Sequence, residues 1–210
     1  MTKVLIADDH PIVREGVRRV LQAAVEIEVV GEVGRSDDVL PAVRKFGPDV
    51  LVLDISMPGP DFLAVLADLA LAHPGLHTLI LSAHPEEDFA VRAFRAGALG
   101  YLTKGYAPKD LVEAVRCVAQ GRRYVTSALA ERLLAMALTG DAAILPHEQL
   151  SNREFEVLRL LAAGRSLKEI AALLGIHPKT VSTFRARVLL KLEVRTNADL
   201  VRYALEHHLT

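Results

Sequence analysis

Five polar side chains stand at the ends of short apolar runs in the first half of the chain. Asp8 and Asp9 follow VLIA, Asp54 follows VLVL, Ser82 closes LILS, and Lys104 follows YLT. Three carboxylates held together repel one another, and a hard divalent cation such as Mg²⁺ relieves that repulsion through oxygen ligands. A metal ion, a hydroxyl and an ammonium around an acceptor carboxylate are the groups that phosphoryl transfer requires. The pattern therefore predicts a phosphoryl site.

The surrounding sequence alternates short apolar runs with amphipathic stretches, which is typical of a parallel sheet covered by helices on both faces. The predicted strands are Val4–Ala7, Ile27–Val33, Val50–Leu53, Thr78–Leu81 and Leu99–Leu102. The predicted helices are Pro11–Ala24, Asp37–Phe46, Asp61–Ala72, Glu86–Ala96 and Pro108–Gln120. A doubly wound α/β domain binds its ligands at the carboxyl edge of the sheet, which is where the five polar residues would meet.

The composition divides the chain into two parts. Of the 210 residues 51% are hydrophobic, enough for a packed core, and residues 1–122 carry 13 basic and 17 acidic side chains. Residues 148–210 instead carry 10 basic and 7 acidic side chains. This asymmetry indicates two domains with different partners, 1–122 and 148–210, joined by a linker over 123–147 that contains a predicted helix, Ser127–Leu138. The single cysteine, Cys117, excludes a disulfide framework, and no apolar run approaches the roughly 18 residues of a membrane span.

The second domain shows helix signals only. Ser151 with Glu154 and Ser166 with Glu169 form two capping boxes, and a third helix is predicted from Pro178 to Leu192. A fourth follows Thr196, so the domain is predicted to be all-α, with helix-turn-helix proportions over residues 166–192. The predicted inward positions are Leu158, Leu161, Ile170, Leu173, Leu174, Ile176, Val181, Val188 and Leu192.

The first domain resembles the receiver domain of bacterial two-component response regulators. The motifs that carry the resemblance are LIADDH, VLVLDISMPG, LILSAH and GALGYLTKG. The resemblance implies the strand order 2-1-3-4-5 and phosphorylation of Asp54 by a sensor histidine kinase. It also implies that Asp8, Asp9, Asp54 and the backbone carbonyl of Ser56 hold Mg²⁺. Ser82 and Tyr101 would be the switch pair, with Tyr101 turning inward on phosphorylation, and Lys104 would contact the phosphate.

This chain departs from the usual receiver pattern beside that site. Many receivers have Pro directly after the lysine, whereas Gly105 stands there in this chain. Ser56 and His84 fall two residues after Asp54 and Ser82, at positions that influence phosphate lifetime in receivers. We expect these two side chains to set the hydrolysis rate, in a direction that the sequence leaves open.

The second domain closely resembles the LuxR-type DNA-binding domain of NarL/FixJ-class regulators, through REFEVLRLLAAG, LKEIAALLGI, KTVSTFRARV and KLEV. Its third helix is cationic and of a size to enter a DNA groove. We expect Ser182, Thr183 and Arg187 to read bases on double-stranded DNA. Phosphate contacts are expected from a second set, which is Lys179, Thr180, Arg185 and Lys191.

The combined prediction is a cytoplasmic response regulator in which phosphorylation of Asp54 switches dimerisation or domain release, and with it transcription. The activated form would be a homodimer, RNA polymerase is a further candidate partner, and enzymatic activity would be limited to the domain's own phosphorylation and dephosphorylation. One alternative is a receiver that only dimerises, without phosphorylation. Another is an Mg²⁺-dependent phosphatase with an aspartyl nucleophile, which would want Asp-x-Asp after the first strand where this chain has Asp8-Asp9-His10.

Overall fold

The computed structural model describes residues 1–84, 86–126, 129–131, 145–207 and 209, and for residues 87, 88 and 148 the backbone alone. The chain forms two compact units, Met1–Asp141 and Ala142–Thr210. The division falls inside the predicted linker, and the domain limits given above remain a prediction. Of the predicted linker helix only residues 129–131 are described, and they are helical; its remaining residues lie outside the described part.

The first unit is a parallel five-stranded sheet with helices between its strands, as predicted. The strands are β1 (Thr2–Ala7), β2 (Ile27–Val33), β3 (Val50–Leu53), β4 (His77–Ser82) and β5 (Gly100–Thr103), in the order β2-β1-β3-β4-β5. The helices are α1 (Pro11–Gln22), α2 (Val39–Phe46), α3 (Phe62–Ala72), α4 (Glu86–Arg95) and α5 (Pro108–Ala119). A 3₁₀ turn at Ser36–Asp38 takes the place of the start predicted for α2.

Consecutive apolar residues make β1, β3 and β4 the buried centre of this unit. Val4, Leu51 and Ile80 are completely buried, as expected for strands that helices cover on both faces. Helices α1 and α5 contribute Val17, Leu21 and others to the same core. The residues that directly follow these strands are therefore anchored to the buried core of the unit.

The second unit contains α6 (Asn152–Ala162), α7 (Leu167–Leu174), α8 (Pro178–Lys191) and α9 (Asn197–Glu206), after a 3₁₀ turn at Pro146–Gln149. Both predicted capping boxes form, and Thr196 forms a third with Asp199. Gly175 ends α7 with a φ of 64°, a conformation that glycine adopts without strain, and the chain then turns into α8. Helix α6 packs against α8 and α9, and α7 packs against α8.

The predicted inward positions of this unit are buried with three exceptions. Leu173 is 62% exposed, and Leu174 and Ile176 are half-buried. The inward side of α7 is formed by Ile170 and Ala171, and Leu173 lies about 200° around the helix from Ala171. The prediction for Leu173 was therefore wrong: its spacing of three residues from Ile170 fits an inward stripe, but the buried face of α7 lies toward Ala171, on the other side of Ile170. The described residues include no helix that is both long and apolar enough to cross a membrane.

Candidate functional site

The carboxyl edge of the sheet brings four of the five predicted residues together at adjacent strand ends. Asp8 directly follows β1, Asp54 directly follows β3, and Lys104 directly follows β5, while Ser82 is the last residue of β4. The Asp54 amide donates a hydrogen bond to the carbonyl of Ala7 (2.8 Å). The Lys104 amide donates to the carbonyl of Ser82 (2.7 Å). The ends of these strands are thus tied to one another by the backbone.

Lys104 joins two buried carboxylates at this edge. Its Nζ lies 2.7 Å from Oδ2 of Asp8 and 2.8 Å from Oδ2 of Asp54, and both aspartates are 2% exposed. Burial alone lowers the pKa of Lys104, but its hydrogen bonds to Asp54 and Asp8 outweigh burial and raise the pKa overall. Burial raises the pKa of Asp54, and the hydrogen bond from Lys104 offsets part of that effect. The site therefore holds a fixed cation beside two buried carboxylates.

A metal ion fits the acidic part of the site. Asp8, Asp9, His10 and Asp54 each offer one ligand atom, and these atoms all lie within 4.8 Å of one another. Oδ2 of Asp8 lies 2.7 Å from Lys104 Nζ, and Oδ1 of Asp9 lies 2.7 Å from Nδ1 of His10. Three carboxylates form the oxygen-rich set that Mg²⁺ prefers. The backbone carbonyl of Ser56 remains a predicted ligand; the Ser56 amide donates to Oδ1 of Asp54 (3.2 Å).

His10 is a neighbour of this site that the sequence analysis missed. Its Nδ1 lies 2.7 Å from Oδ1 of Asp9, and its backbone amide donates to Oδ1 of Asp8 (2.8 Å). The imidazole ring is 64% exposed, so it stands at the solvent side of the acidic pair. Its position directly after the two aspartates was the only signal in the sequence.

The predicted switch residues Ser82 and Tyr101 both hydrogen-bond the backbone of His84, which lies in the loop between β4 and α4. The His84 amide donates to Oγ of Ser82 (3.0 Å), and the hydroxyl of Tyr101 donates to the His84 carbonyl (3.1 Å). The His84 ring nitrogen Nε2 lies 3.1 Å from Oγ of Ser56, and the ring packs on Phe89 at 4.8 Å between centroids. Tyr101 is 1% exposed, so the inward orientation expected only after phosphorylation is already present.

The third helix of the second unit, α8, presents a polar surface. Lys179, Thr180, Ser182, Thr183 and Arg187 are exposed along it. A surface groove is lined by His177, Lys179, Thr180, Thr183, Phe184 and Arg187.

His177 at the start of α8 was not among the predicted site residues. Its Nδ1 accepts a hydrogen bond from the Lys179 amide (3.2 Å), so the imidazole caps the helix. The Nε of Arg185 donates to Oδ1 of Asn197 in α9 (2.6 Å). This contact holds the Arg185 side chain near the start of α9. Arg185 is therefore not among the residues that line the groove.

Lys191 is engaged inside the second unit. Its Nζ lies 2.6 Å from Oε2 of Glu154 and 3.2 Å from the carbonyl of Gln149. Glu154 is 3% exposed and also accepts a hydrogen bond from the Ser151 amide (2.8 Å). Burial opposes ionisation of Glu154, yet Lys191 and Ser151 together lower its pKa. The ion pair ties the end of α8 to the start of α6, and the phosphate contact predicted for Lys191 remains untested.

Comparison with known proteins identifies both units. Residues 4–116 match the response regulator receiver domain family, and residues 148–204 match the LuxR family of bacterial regulatory proteins. The chain is 34% identical to the response regulator UvrY of Escherichia coli K12 over 100% of this chain and 96% of UvrY. It is 33% identical to the response regulator GacA of Pseudomonas aeruginosa over 99% of this chain and 97% of GacA.

Solved structures of the response regulator RcsB share the fold of the chain. RcsB of Salmonella enterica serovar Typhimurium, bound to promoter DNA with the phosphomimetic BeF₃⁻, aligns with a TM-score of 0.61 at 29% identity. The alignment covers 96% of this chain and 97% of RcsB. A structure of two RcsB dimers bound to two parallel DNAs aligns with a TM-score of 0.59 at 31% identity, covering 96% of each chain. The chain therefore belongs to the NarL/FixJ class of two-component response regulators, in which a receiver domain precedes a LuxR-type DNA-binding domain.

Proposed function

We propose that Asp54 is the phosphoryl acceptor and that a sensor histidine kinase is the donor. An Asp54 carboxylate oxygen attacks the phosphorus of a phosphohistidine, the P–N bond breaks, and the imidazole leaves with the electron pair and takes up a proton. The observation that carries this proposal is the geometry around Asp54, a buried carboxylate whose Oδ2 lies 2.8 Å from Lys104 Nζ.

The neighbours of Asp54 divide the charge of the phosphoryl group between them. Asp8, Asp9, Asp54 and the Ser56 carbonyl would hold Mg²⁺, which neutralises phosphoryl oxygens when it is bound. Lys104 pairs with a further oxygen, and Ser82 donates its hydroxyl hydrogen to another. In this proposal the receiver promotes only the phosphorylation and dephosphorylation of its own Asp54.

The output of this chemistry is regulation of transcription through sequence-specific binding of double-stranded DNA. Ser182, Thr183 and Arg187 would read bases, and Lys179 and Thr180 would contact phosphates. Arg185 would also contact a phosphate, through the guanidinium nitrogens other than the Nε that donates to Asn197. Phosphorylation would favour a homodimer, in agreement with the RcsB dimers on DNA. We place this regulator in the cytoplasm, where its DNA partner and RNA polymerase are found.

The test is the intact mass and the oligomer size after incubation with Mg²⁺ and acetyl phosphate. Wild type is compared with Asp54→Asn and with Asp68→Asn, which makes the same change at an exposed aspartate of α3. We expect one phosphoryl group on wild type and on Asp68→Asn, none on Asp54→Asn, and a larger species only in the first two. Labelling of Asp54→Asn would refute the assignment. Dimers and DNA binding without any adduct would favour the alternative of a receiver that only dimerises.

A further inference from the structure

The chain segment that leaves the receiver lies against the sheet edge. We name residues 124–131 the arm, of which 124–126 and 129–131 are described. The Tyr124 amide donates to the Leu99 carbonyl (2.8 Å), and Tyr124 forms a parallel bridge with Gly100 at the start of β5. A Cβ on Gly100 would lie 3.3 Å from Cβ of Tyr124 and 2.7 Å from Cδ1 of Leu79. The missing side chain at Gly100 thus allows the arm to approach β5.

A side-chain contact then fastens the arm to the beginning of α4. Oγ1 of Thr126 lies 2.9 and 2.8 Å from the two carboxylate oxygens of Glu86, so the hydroxyl donates to this carboxylate. The same Oγ1 accepts a hydrogen bond from the Leu129 amide (3.2 Å), and the Ala130 amide donates to the Thr126 carbonyl (2.9 Å). Leu129 is 3% exposed. One threonine therefore caps the helical part of the arm and binds it to α4, and the Leu129 side chain in the same part of the arm is buried.

Glu86, at the other end of this contact, lies next to the switch loop. It is the first residue of α4 and follows His84 by two positions. The backbone of His84 is held by Oγ of Ser82 and by the hydroxyl of Tyr101. If the Ser82 hydroxyl rotates to reach a phosphoryl group on Asp54, it leaves the His84 amide, and the position of the loop changes. A change at the phosphoryl site would thus reach the Glu86 carboxylate, which holds the arm, through the backbone of the loop at His84.

We propose that the Glu86–Thr126 contact is a latch that holds the arm on the unphosphorylated receiver and opens when Asp54 is phosphorylated. Movement of the loop at His84 withdraws Glu86, Thr126 loses its anion, and Leu129 is released from its buried position. The arm begins the covalent connection to the DNA-binding domain, so its release lengthens the free tether between the two domains. The inference rests on the proposed function, because the signal that opens the latch is the phosphoryl group.

Hydrogen exchange of the full-length protein, followed by peptide mass spectrometry, tests the latch. The amides of Leu129 and Ala130 report on it directly, because both are bound to Thr126. The variant is Glu86→Ala, which removes the carboxylate but leaves the Thr126 hydroxyl in place as a cap. The control is Glu113→Ala, which makes the same change at an exposed glutamate of α5. Each protein is measured with Mg²⁺, with and without BeF₃⁻.

We expect BeF₃⁻ to accelerate exchange at Leu129 and Ala130 in wild type and in the control by about three- to tenfold, the range expected when one solvent-exposed hydrogen bond of ordinary strength is lost. Glu86→Ala should show that acceleration without BeF₃⁻. The latch would be overturned if Leu129 and Ala130 exchanged at wild-type rates in Glu86→Ala. It would also be overturned if BeF₃⁻ protected the peptide around Asp54 in wild type but left the exchange of the arm unchanged. If BeF₃⁻ changes nothing even around Asp54, the phosphoryl site itself is refuted and the latch loses its signal. Fast exchange in Glu86→Ala would then still establish the contact as what holds the arm.

Discussion

Replacement of Lys191 by methionine separates the two roles that sequence and structure suggest for this residue. The substitution keeps most of the aliphatic stem and removes the ammonium that lies 2.6 Å from Glu154. Loss of one partner from a fully buried ion pair costs about 3–5 kcal/mol, and loss of an exposed pair costs at most about 1 kcal/mol. Glu154 is buried, but the Lys191 side chain is 38% exposed, so solvent screening reduces the expected cost to about 2 kcal/mol.

The two roles differ most clearly in the salt dependence of DNA affinity. A lysine that contacts a phosphate contributes about 0.9 to the slope of log K against log salt concentration. We expect Lys191→Met to lose stability and to keep the wild-type slope, measured well below its unfolding temperature. Lys179→Met should keep stability and lose about 0.9 of the slope. A reduced slope without loss of stability in Lys191→Met would refute the structural role and establish the phosphate contact predicted from the sequence.

The pH dependence of the same variant gives a second check. The pKa of Glu154 is lower in the folded protein than in the unfolded chain, so its ionisation stabilises the fold above the ordinary glutamate pKa. This contribution is lost as the pH falls through the lowered pKa. The stability difference between wild type and Lys191→Met should therefore be greatest near neutral pH and shrink in acid. A difference that does not change with pH would point to lost packing of the lysine stem instead.

Four further substitutions test other parts of the molecule. Gly100→Ala should lower the free energy of unfolding by about 1–3 kcal/mol in thermal or urea denaturation, because its Cβ would lie 2.7 Å from Leu79 Cδ1. Tyr101→Phe removes the hydroxyl that donates to the His84 carbonyl and should weaken the change in oligomer size on BeF₃⁻ binding without preventing phosphorylation, as gel filtration and intact mass would show. Ser56→Ala removes the hydroxyl that lies 3.1 Å from Nε2 of His84 and should alter the lifetime of the Asp54 phosphate, measured as decay of the adduct; an unchanged lifetime would contradict that role. Arg187→Ala should reduce the preference for the cognate site over a scrambled duplex, in a competition assay.

The sequence predicted the elements of the receiver well, because its strands are short apolar runs that end at polar residues. Asp8, Asp54, Ser82 and Lys104 could be placed at one edge of the sheet by topology alone, since each stands at the end of a different parallel strand. The sequence could not show that Lys104 contacts two carboxylates at once, because that depends on the lateral distance between strands. It placed Tyr101 on a strand covered by helices, but it could not show that the hydroxyl already reaches the His84 carbonyl, because that contact depends on the loop at His84.

Charged residues on helices were the hardest to interpret. Lys179 and Lys191 lie on the same cationic helix, and spacing alone gives them the same role. They differ only in what lies across from them: Lys191 faces a buried glutamate that caps another helix, 37 residues away in the chain. A capping box predicts that Glu154 turns back to its own helix, and it does, but one carboxylate oxygen can accept more than one hydrogen bond. That oxygen also accepts a hydrogen bond from Lys191 at the end of α8. The capping glutamate of α6 therefore helps to orient α8, the helix proposed to contact DNA. Replacement of Glu154 by alanine should weaken DNA binding in the wild-type background and have no further effect when Lys191 is already replaced.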